Sequence, residues 1–537
     1  MSNMAEKDGT QRHDFVSQSS DHARVADDAS MSKADSEKLD DVELGPKATY
    51  INTGAAAGLP QEHRDYLLAR HGTLDLDPVP DMGDQDPYNW PTWKKTTNLV
   101  LVALGAMVAT MNAAAIIPAY EDLSEALGVS LQRTSYLTSL QIAILGGGPL
   151  FWKPISNRYG RRPVWFISFL CACLFNVGCA LSTSYAAMAT CRAFVAFFQS
   201  PPGAIGTGVV TESFFKKERG KYVGVWAMLV TLGVPVGPFL FGFVTYRVGY
   251  VWIYWALAIC SGVQFILAIF LMPETRYIRQ GVQHYGSAFK QEYMQFRCID
   301  PTPFSAYEFI QPLSLFKYPS VAIPIVAYAM VFLFASVMTT VEIPQLFLPK
   351  FGLNPQEIGL QFLGIIIGTI IGEQLGGALS DYWMKRHGRQ INAAPAPEYR
   401  LWLSYGGFAL TICGLVVFLV QTAHATHGHW NVTPIVGVGI AAAGNQIVTT
   451  VLVTYAIDSH PEQSNNIGVF VNVVRQTWGF LGPFWLPDMF ATVGTAGSAG
   501  VVVAMIIGVS VIPTIYLHCR GERWRDAKRA RHEARGQ

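Results

Sequence analysis

Four ionisable side chains stand inside long apolar stretches of this chain: Arg192, Glu342, Glu373 and Arg475. A charge near the centre of a bilayer costs about 2.5–3.5 kcal/mol even on the milder scales, so such residues default to a functional reading. The chemistry open to them is proton binding and ion pairing. Burial in an apolar helix disfavours a charged carboxylate, so a glutamic acid there can take up and release a proton near neutral pH. Glu373 is the leading proton site on this reading, with Arg192 and Arg475 as companions. Arg475 could equally pair with Glu373 as a structural ion pair, and Arg192 could do the same within its own half. Glu342 falls near the end of its stretch. It could meet a proton or a cationic ligand at the outer mouth, or serve as a solvated helix-end acid.

Polar and aromatic side chains in the same stretches are candidates to line a cavity: Asn112, Tyr136, Gln141, Gln199, Trp226, Asn445, Thr449, Asn472 and Gln476, with Gln446 and Phe480 beside them. Buried amides need partners, which another helix or a ligand can supply. Asn445 and Thr449, like Asn472 and Gln476, stand four apart and share a helix face. Tyr136, Trp226 and Phe480 could stack on flat or cationic compounds.

The elements that must hold these groups are membrane helices. Half of the 537 residues are hydrophobic and 14% are charged, whereas soluble domains carry about 25%. Twelve apolar stretches fall at 96–118, 133–155, 162–182, 186–210, 221–244, 250–272, 319–341, 356–380, 401–421, 434–457, 466–488 and 499–519. Each matches the ~20 residues that cross ~30 Å of hydrocarbon. The spacing divides six and six, giving an N-lobe at 96–275, a polar linker at 276–318 and a C-lobe at 319–519. Residues 1–95 form a tail, disordered to about residue 60 by composition, that ends in a pre-membrane segment; 520–537 is a basic tail.

Cations are segregated. Arg158, Arg161, Arg162, Lys216, Lys217, Arg219, Arg276, Arg279, Lys290, Arg297, Lys385, Arg386, Arg389 and the tail from Arg520 to Arg535 all fall on one face. By the positive-inside rule that face and both termini are cytoplasmic. No apolar h-region lies near Met1, so the first span is expected to direct insertion. The eight cysteines lie in spans or on the basic side, so structural disulfides are not expected. The basic tail could touch anionic lipid.

Gly233 and Gly237 share one face of the fifth span and give it a groove for close helix approach, while Gly242 falls on a different face. Pro238 opens the backbone ladder there. Ser156-Asn157-Arg158-Tyr159-Gly160-Arg161-Arg162 after span 2 echoes Ser380-Asp381 through Gly388-Arg389 after span 8. Repeated halves around a midplane site are what alternating access needs.

With these motifs the chain resembles a fungal major facilitator superfamily transporter of the twelve-span drug:proton antiporter branch, from about Gly72 to Arg520. The family's loop G-x-x-x-D-R-x-G-R-R aligns with Lys153 through Arg162, with Lys153 for the usual Gly and Asn157 for the usual acid. The resemblance therefore implies a weaker N-lobe latch, with the acid kept as Asp381 in the C-lobe copy. Arg192 matches the centre of the span 4 motif, with Ala196 for a frequent Gly. Glu218-Arg219-Gly220, Pro273-Glu274-Thr275 and Asp86 to Pro91 match other family segments. Gly233, Gly237, Pro238 and Gly242 match the antiporter signature, which implies a lobe interface controlling direction and proton leak. Glu212 and Asp458, at the basic ends of spans 4 and 10, read as lobe-locking partners for nearby Arg and Lys.

The resemblance implies an all-α membrane protein: twelve helices in two six-helix lobes, a monomer in the bilayer, without cofactor. It would export small organic molecules such as drugs, toxins, secondary metabolites or organic acids in exchange for protons, in the plasma or vacuolar membrane. A proton-coupled importer of polyamines or organic cations on the same fold is the alternative, with Glu342 and Glu373 as ligands; a non-transporting nutrient sensor is a remote one. No P-loop, zinc motif, nucleophile elbow or nucleic-acid motif occurs, so enzyme and ATP-driven readings are unsupported. His424, His427 and His429 lack a fixed scaffold for metal. Asn431-Val432-Thr433 is a glycosylation sequon close to span 10.

Overall fold

A computed structural model describes residues 58–278, 288–294, 298–300, 303, 305–391, 396–460 and 463–533. The tail before residue 58, Arg279, Arg297 and Arg535 lie outside the described residues. Among the described residues, nine helical runs are long and apolar enough by themselves to cross a bilayer. The other spans depart from that simple pattern for visible reasons. Span 2, Leu131–Tyr159, is diluted by Gln132, Ser135, Ser139 and Gln141. Span 4 is broken at Pro201 into Tyr185–Gln199 and Pro201–Ser213. The last run, Ser464–Arg523, holds spans 11 and 12, which part at Gly494 with φ +76°, a backbone state that glycine adopts without a Cβ penalty. Twelve spans result, in two lobes of six.

Span 1 runs Thr92–Leu127, span 3 Arg161–Ala180, span 5 Lys216–Val248, span 6 Val251–Leu271 and span 7 Pro319–Phe351; span 8 runs Pro355–Gln390, span 9 Pro397–His424 and span 10 Thr433–Ser459. Span 7 is ten residues longer than the 319–341 expected, because Pro344 and Pro349 sit inside the helix. Neighbouring helices and local rewinding satisfy the carbonyls a proline frees. Span 7 also rewinds as a π-helix over Leu333–Met338. The basic residues from Arg520 continue the helix Ile512–Glu533.

The lobes meet along two seams. Span 5 packs on span 8 through glycines: a Cβ on Gly242 would lie 2.6 Å from the Pro355 carbonyl oxygen and 2.9 Å from Gly359 Cα. Gly233 and Gly237 face span 1 instead, against the Met107 and Met111 carbonyls. Towards the basic end the span 5–span 8 seam opens, and a Cβ on Gly220, Gly224 or Gly377 would meet nothing within 4 Å. Span 2 packs on span 11 along its length, from Tyr136 stacked on Phe484 at 4.6 Å to Lys153 donating to Asn466 Oδ1 near the basic end.

The pre-membrane segment is folded. Helix Gln61–His71 and the turn Pro87–Asn89 form a cap on the span 4–span 5 loop. Tyr88 stacks on Phe215 at 5.0 Å and donates to the Thr211 carbonyl, while Lys95 Nζ donates to the Tyr88 carbonyl at 2.7 Å.

Candidate functional site

Between the lobes lies a central cavity of ≈ 60 Å³. That is room for a few waters, against the ~300–1,000 Å³ of an open ligand pocket, so this conformer holds the lobes nearly closed around it. A larger space of ≈ 950 Å³ lies on spans 8, 9 and 10, with Leu360, Ile367 and Val436 among its walls. Those walls are almost wholly apolar and exposed on the flank of the bundle, where lipid belongs. Arg475, Gln476, Asn445 and Gln446 line the central cavity, and we take it as the site.

Span 11 supplies Arg475 and Gln476, span 10 Asn445 and Gln446, and span 7 Tyr328 and Thr340. Among the described residues, Arg475 is the one charged side chain in that wall. Its Nη2 donates to Asn472 Oδ1 at 2.9 Å, its Nη1 reaches Tyr328 Oη at 3.4 Å, and its guanidinium lies 5.0 Å over the Phe332 ring. Arg475 Nε, Asn445 Oδ1 and the Thr340 hydroxyl are buried without a hydrogen-bond partner in the protein. The expected Arg475–Glu373 pair is not formed. Glu373 instead accepts from Gln446 Nε2, one residue behind the cavity wall.

Glu342 departs most from the sequence reading. It is 0% exposed, and neither carboxylate oxygen has a hydrogen-bond partner. It is not a solvated acid at a mouth, because the helix runs on past it to Phe351. An unpaired carboxylate is very costly there, and a neutral carboxylic acid far less so.

Arg192 is also fully buried and makes no ion pair among the described residues. Its Nη2 donates to Gln141 Oε1 at 2.7 Å, and Gln141 Nε2 reaches Asn112 Oδ1 at 3.3 Å. Asn112 in turn donates to Asn176 Oδ1 at 3.0 Å. Asn112 and Gln141 thus lie in a network tying spans 1 to 4 together, outside the cavity wall. Gln199 donates to Ser261 inside the N-lobe, and Trp226 packs on Gly206. Tyr136 and Phe480 both contact Phe484 in an aromatic cluster outside the cavity wall, at the end of the span 2–span 11 seam away from the basic loops. Thr449 spends its hydroxyl on the Asn445 carbonyl, and Asn472 Nδ2 donates across the lobe seam to the Leu145 carbonyl at 2.9 Å.

On the basic face each lobe carries the same serine–arginine–acid cluster. In the N-lobe Arg161 donates to Ser156 Oγ and pairs with Glu212 at 2.8 Å. In the C-lobe Arg400 donates to Ser380 Oγ at 2.6 Å and pairs with Asp458 at 3.5 Å and Asp381 at 3.6 Å. Arg389, expected to serve there, is exposed, because span 8 continues as helix through it and the spacing to Gly388 never closes into a turn. Asn157 occupies the place of Asp381, and Arg276 reinforces the N-lobe cluster by pairing with Glu212 at 3.6 Å and donating to the Asn157 carbonyl.

Glu274 accepts from the backbone amides of Arg161 and Arg162 at 2.8 and 2.9 Å, which caps the start of span 3. Its carboxylate lies over Gly160, at φ +95°, where a Cβ would be 2.3 Å from Oε2. Burial pushes the Glu274 carboxyl above the usual range, against the pull of those amides. Arg158 is buried, and its carbonyl accepts from the Ile299 amide at 2.8 Å. Asn431 accepts from Thr433 N and Oγ1, opening span 10. Reading the sequence missed Arg400, Arg276 and Tyr328. For Arg400 a signal existed: the repeated serines and the matching acids at the ends of spans 4 and 10 called for a second arginine.

Comparison with known proteins identifies the family. The family model described as Major Facilitator Superfamily matches residues 102–483. An uncharacterized transporter of Schizosaccharomyces pombe is 25% identical over 82% of this chain and 91% of its own length. Efflux pump FUB11 of Gibberella moniliformis is 27% identical over 79% of this chain and 72% of its own length. Efflux pump radE of Floropilus chiversii is 24% identical over 96% of this chain and 94% of its own. A crystal structure of peptide transporter POT with alafosfalin superposes with TM-score 0.57 at 15% identity, covering 83% of this chain and 96% of that one.

Proposed function

The chain belongs to the Major Facilitator Superfamily, and from that premise we propose that it exports small organic molecules in exchange for protons by alternating access. Glu342 is the observation that carries proton coupling: an enclosed acid without donor or counter-cation, two residues from the cavity-lining Thr340. Such a group holds a proton while the lobes are closed and releases it when the helix end meets water. Relatives named efflux pumps support the outward direction. The loop cations support a cytoplasmic basic face, in a fungal plasma membrane, with the protein acting as a monomer. An inward gradient of one pH unit supplies about 1.4 kcal/mol per proton, and 100 mV adds about 2.3 kcal/mol per charge. Together these sustain several-hundred-fold export of a neutral compound.

The test is retention of a labelled panel of organic acids, hydrophobic drugs and polyamines in transporter-deficient yeast, with and without a protonophore. Expression is expected to lower retention of a panel member, and the protonophore to abolish the effect. The Glu342→Gln protein is expected to exchange substrate across the membrane yet lose gradient-driven export. Export indifferent to the protonophore, or raised polyamine accumulation, overturns the proposal.

A further inference from the structure

Efflux leaves the chemistry of the cargo open, and the cavity wall bears on it. All the charge in that wall is positive and belongs to Arg475. Carboxylates stand near but are otherwise engaged or enclosed: Glu373 is bonded to Gln446 behind the wall, and Glu342 is buried beside it without lining it. Arg475 is partly buried and pairs with no anion among the described residues, and an arriving anion offsets the cost of taking its guanidinium out of water.

The guanidinium is also pre-set. Asn472 Oδ1 holds Nη2 at 2.9 Å and the Phe332 ring supports its face at 5.0 Å, which leaves Nε–H without a partner. The Thr340 hydroxyl, 2% exposed, is a second unsatisfied donor in the same wall; the unpartnered atom of Asn445 there is its Oδ1, an acceptor, which would meet a donor and not the oxyanion. The rest of the wall mixes hydroxyls and amides with the apolar Ile142, Leu145, Val234 and Val337. Two unsatisfied donors in one cavity wall, one of them on the cation, match an oxyanion on an apolar body.

We infer that the transported class is amphiphilic organic anions, a carboxylate on an apolar or aromatic body, with Arg475 as the residue that binds the carboxylate and Thr340 as a second donor. The inference rests on the efflux reading for its transport role. It also disfavours the importer of polyamines, because an ammonium group would meet Arg475 with no acid in the wall to receive it. Exchange of one proton for one monovalent anion moves two charges in the same electrical sense, so the membrane potential acts on both.

The test is equilibrium binding to the purified full chain in nanodiscs, read by competition against radiolabelled naphthoate. The competitors are naphthoate, naphthamide and naphthylmethylammonium, which share one apolar body. The expected result is naphthoate binding ~10-fold or more tightly than naphthamide, the margin of a charge-assisted bond over a neutral one, with the ammonium weakest. Arg475→Gln is expected to abolish that margin while naphthamide binding persists, and Arg475→Lys to keep part of it. No binding of naphthoate, equal binding of acid and amide, or tighter binding of the ammonium overturns the inference, and the wild-type comparison decides this even where a variant fails to fold. A preference for naphthoate without gradient-driven flux sinks the efflux reading alone. Flux without the preference sinks this inference alone.

Discussion

Replacing Gly242 with leucine tests whether the glycine seam of spans 5 and 8 holds this conformer closed. An ideal Cβ there lies 2.6 Å from the Pro355 carbonyl oxygen and 2.9 Å from Gly359 Cα, both backbone atoms that cannot swing aside. Ordinary contact needs about 3.5 Å, so a single added carbon asks the helices to part by roughly 0.6–0.9 Å, and leucine adds three more. Overpacking of this kind costs about 1–3 kcal/mol, which moves a two-state balance by roughly 5–150-fold. The separation can be read by electron–electron resonance between spin labels at Arg247→Cys and Gln356→Cys. The exposed Cys298, Cys413 and Cys519 would be replaced by serine to keep labelling specific. Gly242→Leu is expected to shift the distribution towards the longer distance. Gly224→Ala, where a Cβ meets nothing within 4 Å, is expected to leave it unchanged. Identical distributions for Gly242→Leu and the unsubstituted chain would refute the idea that this seam closes the cavity.

The basic-face clusters give two further expectations. Arg161→Ala breaks a pair whose side chains are 6% and 16% exposed, so it should cost about 3–5 kcal/mol of stability. Lys216→Ala removes a pair 73% and 66% exposed and should cost about 0–1 kcal/mol; similar melting temperatures for the two would count against the N-lobe latch. Arg400→Ala takes the shared cation from Asp381 and Asp458 and should cost about 1.5–3 kcal/mol, whereas Arg389→Ala should not move the melting temperature.

Much of this architecture is legible in the sequence because membrane helices obey a length rule and a charge rule that need no tertiary information. Span number, lobe division and the segregation of cations follow from them. The distinct faces of Gly233 and Gly242 are likewise legible, since helical periodicity alone sends them to different neighbours; that these are spans 1 and 8 is not. What is not legible depends on where a helix stops and what crosses to meet it. Glu342 reads as a surface acid only if span 7 ends near residue 341, and prolines that would end a soluble helix do not end this one. Amide roles are hidden for a related reason. Asn112 and Gln141 look no different from Asn445 in sequence, yet the first two close on Arg192 while the last faces the cavity. Only the partner helix distinguishes glue from lining.

Asn472 shows how the site and the seam could act as one device. Its Nδ2 donates to the Leu145 carbonyl in the opposite lobe, while its Oδ1 accepts from Arg475. Separation of span 2 from span 11 removes the first bond and frees the amide to turn, and with it goes the support that orients the guanidinium. Under the proposed alternating access, Arg475 would therefore present differently to a bound molecule once that seam parts. A ligand shifts a conformational balance only by its difference in affinity for the two states, and a shared amide is a direct physical source of that difference. Lys153 on Asn466 ties the same two helices nearer the basic face, and Tyr136 on Phe484 ties them at the other. The cavity group thus sits midway along a seam that, under the proposed alternating access, would open at one end and hold at the other. Under the proposed exchange, occupancy at Arg475 in the wall and a proton on Glu342 just behind it would then bias the same lobe movement.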